Sequence, residues 1–294
     1  MLEFPRLVEI VVLSFLTAAT ISDLKKREVP NWVNYGLIAA GVGFSALHAI
    51  TAADWRFLLY GVLGIGISLA FAALMFYTGQ WGGGDSKLLV GLGVILGLPL
   101  SFAAPFVSLE SPLVSFFSNL IIVSLFYAVF MGSILALKNR EKFVHSLKEQ
   151  AKSYSRLRIV VLVFAAVSLV AAIFVRDPFV KLSLVALVMA MLGSLYLSMM
   201  AKAVEKSAMV KLVSPFRLTE GDWIARDVFV DGKRICGPRD LGIGKRQISQ
   251  LIAFCRKKKI RAVLVKEGIP FTPSFLIAYL ATAFFGNLFL IVMR

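Results

Sequence analysis

The sequence predicts an all-α polytopic membrane protein of about eight transmembrane helices, with a small α+β cytosolic domain inserted before the last of them. Three observations carry that expectation. Hydrophobic residues make up 59% of the chain and mean hydropathy is +0.82, against roughly 45–50% apolar content in soluble domains. Apolar runs of spanning length recur from end to end. Lys and Arg gather on one side of those runs.

The runs extend from about Leu7 to Ile21, Val33 to Ile50, Phe57 to Tyr77, Leu88 to Ala104, Leu113 to Leu137, Ile159 to Val175, Leu182 to Ala201 and Ser274 to Met293. Each approaches or reaches the roughly 17 to 25 residues that a crossing helix needs. The first lacks a Lys/Arg-rich leading segment and a small-residue cleavage site followed by soluble sequence, so it reads as a retained helix. With both termini outside, the outer face holds Arg6, Arg56, Arg176, Lys181 and Arg294, five of the 32 basic residues. The bias of Lys and Arg makes the opposite face cytoplasmic. The expected organisation is a membrane domain over residues 1–203, a cytosolic module over 204–273 and a last helix over 274–294, multi-pass in the cell membrane.

The net charge of +15 follows from basic cytoplasmic loops that attract anionic lipid, so the lipid bilayer is the expected partner and nucleic acid is not required. Two cysteines, Cys236 and Cys255, are too few for a disulfide framework, and both fall in the cytosolic module as reduced thiols. His48 and His145 have no ligand partners at useful spacing, so no metal and no cofactor is implied.

Between residues 138 and 158, Phe143, Leu147, Tyr154 and Leu157 recur at near-helical spacing among basic residues, which predicts an amphipathic interfacial helix. Further on, Val228-Phe229-Val230, Asp231-Gly232 and Lys233-Arg234-Ile235-Cys236 predict a hairpin around an Asp-Gly turn. Ile248, Leu251, Ile252 and Cys255 fall on one face of a helix over 246–259, and 261–265 reads as a strand. The stretch Gly237 to Lys245 invites a phosphate-loop reading. It fails twice: Arg239 stands where the first glycine belongs and Arg246 where Ser or Thr belongs, so a turn leading into a helix is expected.

Two carboxylates draw the chemistry. Asp85 ends Trp81-Gly82-Gly83-Gly84-Asp85-Ser86-Lys87 at the mouth of the fourth apolar run, and Asp23 ends the first run in Ser22-Asp23-Leu24-Lys25-Lys26-Arg27. Both fall on the cytoplasmic face, where an acid at a membrane helix is a functional candidate. Each, taken alone, also suits an interfacial cap. Peptide hydrolysis by carboxylates needs two close together, one to take a proton from water and one to donate to the scissile carbonyl; such a pair shares a proton. The glycines admit a close substrate backbone and permit positive φ at the turn. Gly93 and Gly97 form a GxxxG spacing that would draw the first and fourth helices together. Lys87 suits either snorkelling to headgroups or tuning the charge of Asp85.

Gly82-Gly83-Gly84-Asp85 fits the GxGD signature of membrane aspartyl proteases, and Ser86-Lys87-Leu88-Leu89 resembles its continuation in type IV prepilin peptidases and archaeal preflagellin (prearchaellin) peptidases. Asp23-Leu24-Lys25-Lys26-Arg27-Glu28-Val29-Pro30-Asn31 resembles that family's first-aspartate segment, with an acid, an arginine and Pro-Asn opening the second helix. The resemblance covers about the first 140 residues. Gly268-Ile269-Pro270-Phe271-Thr272-Pro273 and the module before it look like the extension of archaeal members.

The resemblance implies an aspartic endopeptidase with Asp23 and Asp85 as catalytic pair, supported by Gly82, Gly83, Gly84, Lys87, Arg27, Pro30 and Asn31. Its substrates would be membrane-inserted pilin-like or archaellin precursors, cut at the cytoplasmic edge to release a short basic leader. Bacterial members that also methylate the new amino terminus carry a cytosolic cysteine-pair insertion. No CxxC occurs here, which implies protease without methyltransferase activity. The Tyr-Asp pair and Pro-Ala-Leu motif of presenilin-like relatives are absent too. Which aspartate is base and which acid stays open. A basic leader approaching a basic face calls for a local acidic patch, for which Glu28, Glu141 and Glu149 are candidates. An ion-coupled transporter and a catalytically idle scaffold are the rival readings.

Overall fold

The computed structural model of the protein describes residues 4–97, 108–240 and 242–293. These residues form α1 (Phe4–Lys26), α2 (Asn31–Thr51), α3 (Arg56–Tyr77), α4 (Gly83–Leu96), α5 (Pro112–Lys138), α6 (Arg140–Ser153), α7 (Ser155–Phe174) and α8 (Pro178–Val204). There follow β1 (Val210–Val213), β2 (Trp223–Ile224), β3 (Val228–Val230), β4 (Lys233–Cys236), α9 (Lys245–Arg256), β5 (Val263–Lys266), α10 (Thr272–Phe285) and α11 (Leu288–Met293). Six of the described helices, α1, α2, α3, α5, α7 and α8, are long and apolar enough to cross a membrane, which fits a multi-pass membrane protein. The expected fourth span ran to Ala104, and its end lies outside the described residues. The expected last span is not one helix: α10 stops at Gly286, which adopts φ 70°, and α11 restarts two residues later.

By packing, the chain divides into two compact units, Met1–Val129 with Gly268–Arg294, and Phe130–Glu267. In the first, α4 is the central element. Its residues Leu88, Leu89, Gly91, Leu92, Gly93, Val94, Ile95 and Leu96 are all buried, the pattern of a helix apolar all round and covered on every side. The GxxxG face does not turn to α1, as the sequence had suggested. A Cβ on Gly64 of α3 would sit 2.0 Å from the Gly93 carbonyl oxygen, and one on Gly97 would sit 2.6 Å from the Tyr60 carbonyl oxygen. Glycine on both helices lets these backbones touch, so α3 takes the seam that α1 was expected to fill.

The break after α10 carries its own polar repair. Asn119 of α5 donates from Nδ2 to the Gly286 carbonyl at 2.7 Å and to Thr282 Oγ1 at 3.0 Å, while its Oδ1 accepts from the Leu288 amide at 2.9 Å. Backbone groups freed at membrane depth must find protein partners, and a single fully buried amide satisfies two of them, the Gly286 carbonyl and the Leu288 amide.

In the second unit, α7 and α8 form a hairpin whose turn is capped by Asp177, which accepts from the Val180 amide at 3.0 Å ahead of Pro178. The expected amphipathic stretch is split: α6 holds Phe143 and Leu147, Tyr154 is its C-cap and Leu157 belongs to α7, while Glu149 of α6 pairs with Lys206 and faces His145. The strand-containing region is a sheet of order β1-β5-β2, all antiparallel, plus the β3–β4 hairpin. Asp231 and Gly232 at its tip have φ 51° and 77°, the double positive φ of a type I′ turn. Leu218, Ile224, Cys236, Ile243, Leu251, Val263 and Val265 form the core beneath. The Gly237–Lys245 stretch is a turn into α9: Gly244 is the N-cap, and its amide donates to Gln247 Oε1 at 2.9 Å.

Candidate active site

Asp23 lies one turn before the end of α1 and is only 6% exposed. The helix stops just beyond it because Arg27 adopts φ 57° and returns its amide to the Asp23 carbonyl at 2.8 Å. Left-handed backbone is unusual for arginine, and two contacts hold it: Arg27 Nη1 donates to the Gly268 carbonyl at 2.8 Å, and Ser22 Oγ donates to the Glu28 carbonyl at 2.9 Å. Pro30 is then the N-cap of α2, extended at φ −61° and ψ 141°, and Asn31 opens the helix. The sequence placed this turn correctly.

Asp85 sits at the third position of α4, half-buried, and its Oδ2 accepts from the Gly82 amide at 3.3 Å. An acid there meets the free amides and positive end of the helix. The positive φ expected among the three glycines falls instead on Gly79, at 71°, while Gly82 is extended at φ −75°. The bend is completed before Trp81, so Gly82 is free to act as an N-cap. Gly84 serves proximity: a Cβ there would stand 3.1 Å from Val29 Cβ, so the α1–α2 turn rests directly on the start of α4. Gly83 faces Phe76 with ordinary room.

Lys87 turns across to α2. Its Nζ donates to Asn31 Oδ1 at 3.1 Å and stands 5.6 Å from the centre of the Tyr35 ring. Among the described contacts it ties α4 to α2 and does not reach Asp85.

The second half of Asp23's surroundings comes from the far end of the chain. Thr272, at the first position of α10 and fully buried, donates its amide and its hydroxyl to Asp23 Oδ2, both at 3.0 Å. Trp81, just ahead of α4, packs its ring 5.3 Å from Phe271 and from Phe275 and 5.6 Å from Phe71. This aromatic contact holds the start of α10 beside the start of α4. The end of α1 that carries Asp23 and the start of α4 that carries Asp85 thereby come together, with Val29 resting on Gly84 and Phe271 on Trp81. Thr20 Oγ1, Ser124 Oγ, Tyr127 OH and Ser274 Oγ are buried without a hydrogen-bond partner among the described residues.

Of the residues singled out in the sequence, Asp23, Asp85, Gly84, Arg27, Pro30, Asn31 and Lys87 gather where the ends of α1, α2 and α4 meet. Sequence reasoning missed Thr272 and Trp81. Thr272-Pro273 at the head of an apolar run is a helix-start signal, but nothing local in it points to a carboxylate 249 residues away.

The family model of the type IV leader peptidase family matches residues 10–137. A preflagellin peptidase of Methanococcus maripaludis is 33% identical over 81 residues, covering 28% of this chain and 35% of the relative. That of Methanocaldococcus jannaschii is 26% identical over 127 residues, 42% of this chain and 54% of the relative. That of Methanococcus voltae is 32% identical over 98 residues, 33% and 40%. The chain thus spans about half or less of the length of these curated relatives. No solved structure matches it.

Proposed function

We propose that this chain, whose residues 10–137 match the type IV leader peptidase family, is a membrane aspartic endopeptidase whose catalytic pair is Asp23 and Asp85. The observation that carries the reading is that the two acids, one buried and one half-buried, stand at helix ends packed on one another through Gly84 and Val29 and through Trp81 and Phe271. Two carboxylates in a poorly solvated place cannot both stay charged. One then takes a proton from water as the other gives one to a peptide carbonyl.

The substrates are pilin-like or archaellin precursors inserted in the membrane, cut at the cytoplasmic edge of their apolar helix. Preflagellin peptidases among the relatives support this class. The enzyme works without methylating the product, having no CxxC pair. Of the three acids considered for a basic leader, Glu149 is already paired with Lys206, whereas Glu28 is exposed in the turn five residues after Asp23. Glu28 is the acid to reverse first. Glu28→Lys lowers kcat/KM for a basic-leader precursor; equal rates for basic and neutral leaders in the variant and in the parent would remove Glu28 from leader reading.

The deciding experiment incubates detergent-purified protein with an archaellin-like precursor beside Asp23→Asn and Asp85→Asn. Each variant loses cleavage by about a thousandfold or more with unchanged melting. Cleavage retained by either variant refutes the pair. With no cleavage by the parent protein, ion flux in vesicles would identify a transporter, and its absence a scaffold.

A further inference from the structure

Resting on the peptidase reading, we propose that the last apolar segment assigns the two acids their roles: Thr272 is a positioning residue that holds Asp23 as the general base, which leaves Asp85 as the general acid. Both donors of Thr272 reach one oxygen of Asp23, Oδ2, at 3.0 Å. No hydrogen bond among the described residues reaches Asp23 Oδ1, and this is the oxygen assigned to the attacking water. Asp85 receives a single, longer bond of 3.3 Å, from the Gly82 amide at its own helix start. Hydrogen bonds from neutral donors are stronger to a carboxylate than to a carboxylic acid, so the acid with two of them carries the charge and the other keeps the shared proton.

The backbone around Thr272 reinforces this. It opens a fourteen-residue helix whose N-cap, Phe271, offers no side-chain acceptor. Pro273 has no amide hydrogen to satisfy, and the Ser274 amide turns back to the Phe271 carbonyl at 2.9 Å. The Thr272 amide is the orphan of this turn, and Asp23 supplies from another helix the acceptor that a local cap would give.

Among the described residues, the charged and titratable groups near Asp23 include Asp85 of α4, Tyr127 of α5 and Arg27 in the turn after α1. α10 presents uncharged Thr272, α2 begins with uncharged Asn31, and Arg27 at the end of α1 directs its guanidinium to the Gly268 carbonyl. The positive end of α10 is what meets Asp23 directly.

The reaction balances with these roles. Asp23 Oδ1 takes a proton from water as the water oxygen bonds to the scissile carbonyl carbon; the carbonyl π pair moves to its oxygen, which takes the proton of Asp85. The gem-diol collapses as Asp23 returns its proton to the amide nitrogen and Asp85 recovers one from a diol hydroxyl. The C–N bond breaks, giving a leader carboxyl and a new amine.

The test is the pH profile of kcat/KM for cleavage of an archaellin-like precursor by the purified full chain, compared among parent, Thr272→Val and Thr272→Ser, with melting measured for each. Thr272→Val keeps size and amide but removes the hydroxyl donor. The expected result is a kcat about tenfold lower at unchanged KM, with the acidic limb moved to higher pH by roughly one unit; Thr272→Ser keeps the parent's limb. An acidic limb unmoved in a folded Thr272→Val, or a shift of the basic limb instead, overturns the assignment while leaving the peptidase reading intact. Should Thr272→Val not fold, Thr272→Ala gives the same comparison against Thr272→Ser. A parent that cleaves nothing, or an Asp23→Asn variant that still cleaves, defeats the peptidase reading and this inference with it.

Discussion

The helix α4, which carries Asp85, and the α7–α8 hairpin are about equally apolar, yet they are packed in different ways. α4 is covered on all sides, and its neighbour α3 meets it backbone to backbone through Gly64, Gly93 and Gly97. In α7 only Val161, Ala165, Ser168 and Ala172 are buried, a single stripe, and the remaining Val, Leu, Ile and Phe side chains face outward. Hydropathy does not separate the two kinds of helix, because lipid and protein interior are about equally apolar. What separates them is small residues: glycine where backbones must touch, large side chains where they meet lipid. Asp85 stands at the start of the covered helix, which fixes its position.

Breaking that contrast starts at the acids, with the thousandfold losses expected for Asp23→Asn and Asp85→Asn. Next comes the seam. Gly64→Ala puts a methyl group 2.0 Å from a backbone oxygen, which no side-chain rotation relieves. It should destabilise the protein by more than about 4 kcal/mol and abolish cleavage, measured as folded yield and melting in detergent. Gly66, two residues on in the same helix, has open space around it, and Gly66→Ala should leave cleavage unchanged and raise stability by about 0.5 to 1 kcal/mol. A folded, active Gly64→Ala would show that the seam is not what positions Asp85.

Smaller effects sharpen the comparison. Leu92→Ala, fully buried in α4, should cost about 2 to 5 kcal/mol, whereas Val163→Ala, on the outward face of α7, should change stability by less than about 0.5 kcal/mol. Gly193 in α8 also meets nothing within 4 Å, so Gly193→Ala should stabilise by about 0.5 to 1 kcal/mol, opposite in sign to Gly64→Ala. Equal responses in α4 and α7 would erase the distinction.

The smallest effect is chemical. Burial, with Asp240 and then Asp227 adding to it against the opposing pull of Arg234, pushes the Cys236 thiol up to about 11. Its protonated state therefore adds stability that is whole below the ordinary thiol range near 9.0 and is lost as pH rises through about 11. At pH 8 iodoacetamide should modify half-buried Cys255 in the folded protein and spare Cys236. Rapid loss of both thiols would show that the module opens readily.

Much of this was open to reading from residues in order. Apolar runs marked the membrane helices because length and composition are local. Asp231-Gly232 marked the hairpin because positive φ at both positions is a property of those two residues. The Pro30-Asn31 start of α2 and the failure of the phosphate loop were likewise local. The errors share one cause. The partner of Gly93-Gly97, the position of the positive φ and the break at Gly286 each depend on what stands opposite: α3 in the first case, Trp81 bound among Phe71, Phe271 and Phe275 in the second, Asn119 in the third.

By itself, the sequence determined a membrane chain with two acids at helix ends, because hydropathy, charge bias and motif spacing are written along the chain. Only the tertiary structure decided that the helix ends carrying these acids pack together, and that the last apolar segment reaches back to one of them. Thr272 and Asp23 are 249 residues apart, and a contact at that separation is set by how α1, α4 and α10 pack. No periodicity or propensity records it.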